Sequence, residues 1–188
     1  THRAVGTRIS HNLYKKYGLT AITLDASYFG VPQSRKRVIF VGSKDDKFQF
    51  PSKKSEIITV GESLGNIPDV NKNFYDEPSN DYQYQMSGKI KEIHNHKAMN
   101  HNEDVRKRIS LVPQGGNWKD IPEKYYNVGG NHSNNYRRLD PIKPSITLKH
   151  ATKSMIIHPF FNRVITAREV ARLQSFNDDF IFSGTTHE

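Results

Sequence analysis

Hydrophobic positions change period sharply within the first quarter of the chain. Val5, Ile9 and Leu13 recur at four-residue spacing and are followed by Lys15, Lys16 and Gly18. That pattern predicts an amphipathic helix with cations in its last turn and glycine just past its end. Leu19 to Asp25 (LTAITLD) then reads as a strand. Val38 to Val41 (VIFV) is apolar at four successive positions, which predicts a second strand buried on both faces inside a layered α/β sheet. The intervening ASYFGVPQS carries Gly30 and Pro32 and reads as a loop. After Gly42 the polar, turn-rich SKDDKFQFPSKKS places a linker or domain boundary near residues 48–56.

Further along, Thr59 and Glu62 form a capping-box pattern that opens a short helix ending by Pro68. From there to about Tyr136 the chain is rich in Asn, Gly, His and Tyr, and one helix is predicted, from about Glu103 to Leu111. Val105, Ile109 and Val112 form its apolar face, with Arg106, Lys107 and Arg108 opposite. A second capping box, TARE, starts the last helix at Thr166. Val170, Leu173 and Phe176 give it a side to bury, and Arg168 and Arg172, one turn apart, lie together on another. No internal repeat is visible.

Composition then narrows the function. Lys and Arg number 28 against 19 Asp and Glu, a formal charge of +9, and such a surplus favours polyanionic partners, nucleic acid first. The sequence contains no cysteine, which excludes a disulfide framework, a thiolate zinc site and a cysteine nucleophile within these residues. No apolar run approaches the roughly 18 residues of a membrane span, and the N-terminal stretch lacks the apolar centre of a signal peptide. The expectation is a soluble, cytoplasmic protein with no membrane partner.

Candidate chemistry centres on PQSRKRVIFV. Alternation along a strand puts Gln33, Arg35 and Arg37 on one face and Ser34 and Lys36 on the other. A guanidinium fixed at a strand end in an α/β sheet can hold a carboxylate, a phosphate or a base carbonyl in its planar fork; the plainer reading is a solvated or charge-blocked strand end. Arg137 and Arg138 beside Tyr136, and Arg106 and Arg108 on the predicted helix, are candidate nucleic-acid contacts. His94, His96 and His101 have no Asp or Glu among them, so a loop cluster is favoured over a metal site. Gly115-Gly116 and Gly129-Gly130 lack a dinucleotide-binding context and read as turns. Trp118 reads as local core or as a stacking platform.

Three stretches, in order, resemble the cytosine-C5 DNA methyltransferases. GVPQSRKRVIFVGS is similar to their eighth motif, with its Q-x-R-x-R block. YRRLDPIKPSITL resembles the end of the target-recognition region, with its Thr-Leu dipeptide, and HPFFNRVITAREVARLQSFNDDF resembles the ninth motif. QGGNWKDIP is also a familiar phrase of these recognition regions. The resemblance implies an α/β fragment, the end of a Rossmann-like methyltransferase sheet, joined to a small mixed α+β, loop-rich target-recognition domain. Residues 1–48 would belong to the catalytic domain, 49–157 to target recognition, and 158–188 to the ninth-motif segment leading back.

By the same resemblance Arg37 faces a flipped cytosine, Arg35 and Gln33 support that site, and Thr147 and Leu148 lie near the target base. Arg163, Arg168 and Glu169 match the ninth motif, so Arg163 and Arg168 join the candidate DNA contacts. The parent would be a restriction-modification enzyme moving methyl from S-adenosylmethionine to cytosine C5 in double-stranded DNA. The departures are as informative: the family's Phe-x-Gly-x-Gly cofactor turn, Pro-Cys nucleophile loop and Glu-Asn-Val block are all missing, and Asn177 stands where the family usually has Pro. The expectation is therefore an inactive C-terminal piece with no cofactor residues of its own and no metal. The remainder of the methyltransferase would be supplied by the same chain or a second subunit. The alternatives are a natural subunit of a split enzyme, a non-enzymatic nucleic-acid-binding module, or a metal nuclease.

Overall fold

A computed structural model of the chain describes residues 18–44, 48–126, 135–149, 151 and 153–184. The helix expected around Val5, Ile9 and Leu13, and the Gly129-Gly130 turn, lie outside them. Strands β1 (Gly18–Asp25) and β2 (Lys36–Ser43) pair antiparallel, with Gly18 opposite Ser43 and Asp25 opposite Lys36. Their connection opens with a 3-10 turn, Ala26–Phe29, closed by Gly30 at φ +86°, a left-handed conformation that favours glycine.

Here the structure corrects one expectation. The VIFV strand forms, but Val38, Ile39 and Phe40 are 57%, 40% and 40% exposed. Branched and aromatic side chains favour extended backbone locally, whereas burial on both faces needs covering layers, and among the described residues β1–β2 is a two-stranded ribbon.

Residues 48–59 form no regular element, and they turn back on the β1–β2 connection through Lys54 N–H to Tyr28 O, 2.8 Å. Four α-helices follow among the described residues: α1 (Val60–Leu64), α2 (Asp81–Ser87), α3 (Glu103–Leu111) and α4 (Ala167–Arg172). Both predicted capping boxes are present, Thr59 with Glu62 and Thr166 with Glu169. The α2 helix was not foreseen; its signals are only the Asn80 cap and the buried Tyr82 and Gln83. At the start of α1, Gly61 donates its N–H to Pro141 O at 2.8 Å. A Cβ on Gly61 would lie 2.8 Å from that same oxygen, so the close approach requires glycine.

Period-two alternation explains how the helical part is filled. Isolated bridges join Arg138 to Ile157 and Ile157 to Val164. Across this small ribbon neighbouring residues point to opposite sides. Ile156 and Ile165 enter one core with Val60, Leu64, Ile67, Leu139, Leu148 and Leu173. Ile157 and Val164 enter a second, with Ile109, Val112, Ile121 and Tyr136. Residues 158–173 thus pack into the same two cores as residues 60–157. Phe176, expected on the buried side of α4, is exposed instead.

Candidate nucleic-acid site

The β1–β2 connection is the junction on which two distant segments dock, one at Lys54 and one at Ser145–Thr147. Asp25 closes it: its carboxylate accepts from Ser27 N–H (3.2 Å), Ser27 Oγ (3.1 Å), Ser34 Oγ (3.0 Å) and Arg35 N–H (2.9 Å). Burial pushes this carboxyl up, but those hydrogen bonds outweigh burial and hold it below the usual carboxylate range. The stretch around Ser145 docks against the same turn. Ser34 N–H donates to Ser145 O (2.8 Å), Ser145 N–H to Pro32 O (2.9 Å), and Thr147 Oγ1 to Ser34 O (3.0 Å). Gln33, Arg35 and Arg37 are therefore brought to the segment carrying Thr147, although 110 or so residues separate them in sequence.

Within this junction the side chains differ in what they can still bind. Gln33 is 2% exposed, and its side-chain nitrogen has no partner among the described residues. Arg35 is half-buried and Arg37 exposed, with Arg37 Nη1 donating to Lys36 O at 2.7 Å. Leu148 is not available to a ligand, since it lies in the first core.

Three of the arginines expected to touch DNA are held inside the protein. A guanidinium has five N–H donors, and Arg138, 4% exposed, makes five hydrogen bonds: to Val112 O, Ile109 O, His158 O, Phe161 O and Asn162 Oδ1, at 2.7–3.0 Å. Arg168 is buried against His94 O (3.0 Å), Asn177 O (3.3 Å) and Phe180 O. Arg163 forks onto Glu169 (2.9 and 2.7 Å) and reaches Asp69 with Nε (2.7 Å). Their donors are spent within the chain, where these side chains tie loops together. Arg172, also buried, binds Asp178, Ser63 O and Asn66 Oδ1. By contrast Arg106 is exposed and Arg137 half-buried, while Arg108 donates through Nε to Tyr125 O (2.7 Å).

The histidine stretch does structural work around the start of α4. Asn95 O accepts from Arg168 N–H (3.1 Å), and the Asn95 amide bonds Phe182 N–H and O (2.9 and 2.8 Å). His96 Nε2 donates to Pro68 O (2.9 Å), so Nδ1 accepts from the Thr166 hydroxyl (3.0 Å). Nearby, His158 Nδ1 accepts from the Phe160 and Phe161 amides (3.1 Å each), which leaves Nε2–H facing Glu169 Oε1 at 3.6 Å. Burial pushes His158 down to about 4 against the opposing pull of Glu169, and pushes His96 down as well. Burial alone would raise Glu169; Arg163 and His158 prevail and hold it low. Trp118 packs at the edge of the second core, stacked on Tyr126 at 5.7 Å between centroids.

Comparison with known proteins defines the class. Residues 9–188 match the family of C-5 cytosine-specific DNA methylases, and the chain belongs to that family. It is 36% identical over 170 residues to the type II methyltransferase M1.HphI of Haemophilus parahaemolyticus, a match covering 89% of this chain and 41% of that protein. It is 34% identical over 192 residues to the type II methyltransferase M.DdeI of Desulfomicrobium norvegicum, covering 89% and 46%. The chain therefore spans less than half the length of these curated relatives. A solved E. coli prophage-encoded protein, described as a DNA modification methyltransferase, shares the fold with a TM-score of 0.69 over 93% of this chain and 55% of its own length, at 23% identity.

The residues of the junction do not suit S-adenosylmethionine. Its sulfonium is cationic, and its ribose hydroxyls need free acceptors. Around the turn, Asp25 has both carboxylate oxygens engaged, and the neighbouring charged side chains, Arg35, Lys36, Arg37, Lys53 and Lys54, are cationic. Among the described residues no helix is long and apolar enough to cross a membrane.

Proposed function

We propose that this chain is the DNA-recognition part of a cytosine-C5 DNA methyltransferase, with the edge of the catalytic site attached as β1–β2. The carrying observation is the junction itself, where the turn bearing Gln33, Arg35 and Arg37 is hydrogen-bonded to the segment bearing Ser145 and Thr147. In the complete enzyme, methyl passes from S-adenosylmethionine to C5 of a cytosine flipped out of duplex DNA. A thiolate must add to C6 of the base, and with no cysteine in this sequence the nucleophile comes from elsewhere in the enzyme, in the same polypeptide or in a second subunit.

The role of this chain's residues is to hold the base and the duplex. Arg37, exposed at the start of β2, places fixed positive charge beside the base carbonyl, where negative charge grows during attack. Arg35 and Gln33 line the same turn. Thr147 approaches from the recognition side. Arg137, Arg106 and Arg108 are the remaining candidates for the duplex, whereas Arg138, Arg163, Arg168 and Leu148 act as positioning residues that fix the loops carrying them. Residues 60–173, which share two cores, form the recognition unit, and residues 48–59 connect it to the hairpin.

The test is equilibrium binding of the chain to a duplex library in which candidate cytosines are mispaired or abasic. Selective binding that weakens on Arg137→Ala or Thr147→Ala is expected, together with no methyl transfer from labelled S-adenosylmethionine by this chain alone. Uniform binding across all sequences contradicts the recognition role.

A further inference from the structure

We infer that Lys53 and Lys54, from the irregular segment that follows β2, form a phosphate-binding pair on the same DNA site as Arg35 and Arg37. This rests on the proposed DNA-recognition role. Neither lysine was singled out by the sequence, where they sit in a polar linker. The structure brings the segment back onto the junction. Lys54 N–H donates to Tyr28 O at 2.8 Å, which anchors the backbone to the 3-10 turn. Lys53 Nζ lies over the Tyr28 ring, 4.7 Å from its centroid, a cation–π contact that limits where the ammonium can go. Lys54 Nζ lies against Gly30, 3.0 Å from where a Cβ would stand. The left-handed glycine at the end of the turn thus also leaves room for the ammonium.

Charge supplies the second half of the argument. Arg35, Lys36, Arg37, Lys53 and Lys54 all attach to the short span from Asp25 to Arg37 or pack against it. Asp25 is the carboxylate of that span, and its oxygens are taken by Ser27, Ser34 and Arg35. Glu56, two residues beyond Lys54, forms no ion pair with either lysine among the described residues. Both lysines are exposed. Gathering like charges on one turn opposes folding unless an anion is bound there. A nucleic-acid backbone passing the turn meets ammonium groups from the linker while its base is held by the arginines. Lysine acts here as a point charge on phosphate, with no base preference.

The experiment is a salt titration of duplex binding by this chain, unsubstituted and with Lys53→Gln/Lys54→Gln, followed by fluorescence anisotropy. Each phosphate contact contributes about 0.9 to the slope of log affinity against log salt. The double variant should lower the slope by about 0.9 to 1.8, equally for every duplex sequence, and Lys53→Arg/Lys54→Arg should restore it. Lys72→Gln, which removes an exposed lysine paired with Asp76, should leave the slope unchanged. Duplex binding with an unaltered slope in the double variant overturns this inference and leaves the recognition role standing. An equal fall in Lys72→Gln also overturns it, because the effect is then one of net charge. Absence of any duplex binding by the unsubstituted chain overturns both.

Discussion

At the scale of single residues, the arginines divide by what their donors already hold. Arg138 spends all five on four carbonyls and one amide oxygen. Arg138→Ala would leave buried carbonyls of α3's end and of His158 without partners, at about 1–3 kcal/mol for each unsatisfied group. Arg138→Ala should therefore lose about 3 kcal/mol or more of stability in urea denaturation, while Arg137→Ala, half-buried one position earlier, should change it by under about 0.5 kcal/mol. The histidines make a pH prediction. His96 and His158 sit neutral in the folded chain with pKa values pushed below the ordinary 6.5. The unfolded chain then binds more protons below pH 6.5, so stability should fall as pH drops from about 6.5 towards 4. Glu169 and Asp69, held low, add losses only below the normal carboxylate range. A urea midpoint that is flat between pH 7 and 5 would contradict this, and His158→Asn, whose amide oxygen can still accept from the Phe160 and Phe161 amides, should reduce the slope. None of these assignments was readable from the letters. A buried Arg tethered to carbonyls and an exposed Arg awaiting phosphate look alike in a sequence, because the contacts that distinguish them join residues 20 or more positions apart.

At the scale of elements, what the sequence announces is what is local. The TARE and TVGE boxes, and the four-residue spacing of Val105 and Ile109, are each complete within one or two turns, and they locate α4, α1 and α3. Helix α2 escapes because Tyr82 and Met86 give too short an apolar repeat, and its Asn80 cap is one Asn among many. Thr166 has a second role that no local pattern records, since its hydroxyl also donates to His96 Nδ1. Thr166→Ala should thus cost more than an ordinary cap, whose loss is typically about 1 kcal/mol, and Thr166→Ser should recover most of it; equal loss in both variants would contradict the double role. Gly61→Ala sets a similar test of docking. The added methyl would meet Pro141 O and force α1 away from the loop before Ser145, a destabilisation of about 1–3 kcal/mol that should also weaken duplex binding.

At the scale of the whole molecule, family membership and the part-length match frame the exposed hairpin. VIFV reads as a buried strand because its pattern suits a strand inside a larger sheet, and β1–β2 leaves Val38, Ile39 and Phe40 uncovered. Apolar ribbon exposed to water tends to self-associate, so Phe40→Gln should make the isolated chain more monodisperse in light scattering without altering duplex affinity. The central claim is that the β1–β2 turn and the Ser145–Thr147 segment together form one surface that reads DNA. The most direct measurement is anisotropy of the chain against a library of duplexes at rising salt, with Thr147→Ala alongside. The account predicts sequence-selective binding that survives moderate salt and loses its selectivity in the variant. Binding of equal strength to every sequence, abolished by salt and indifferent to Thr147, would contradict it.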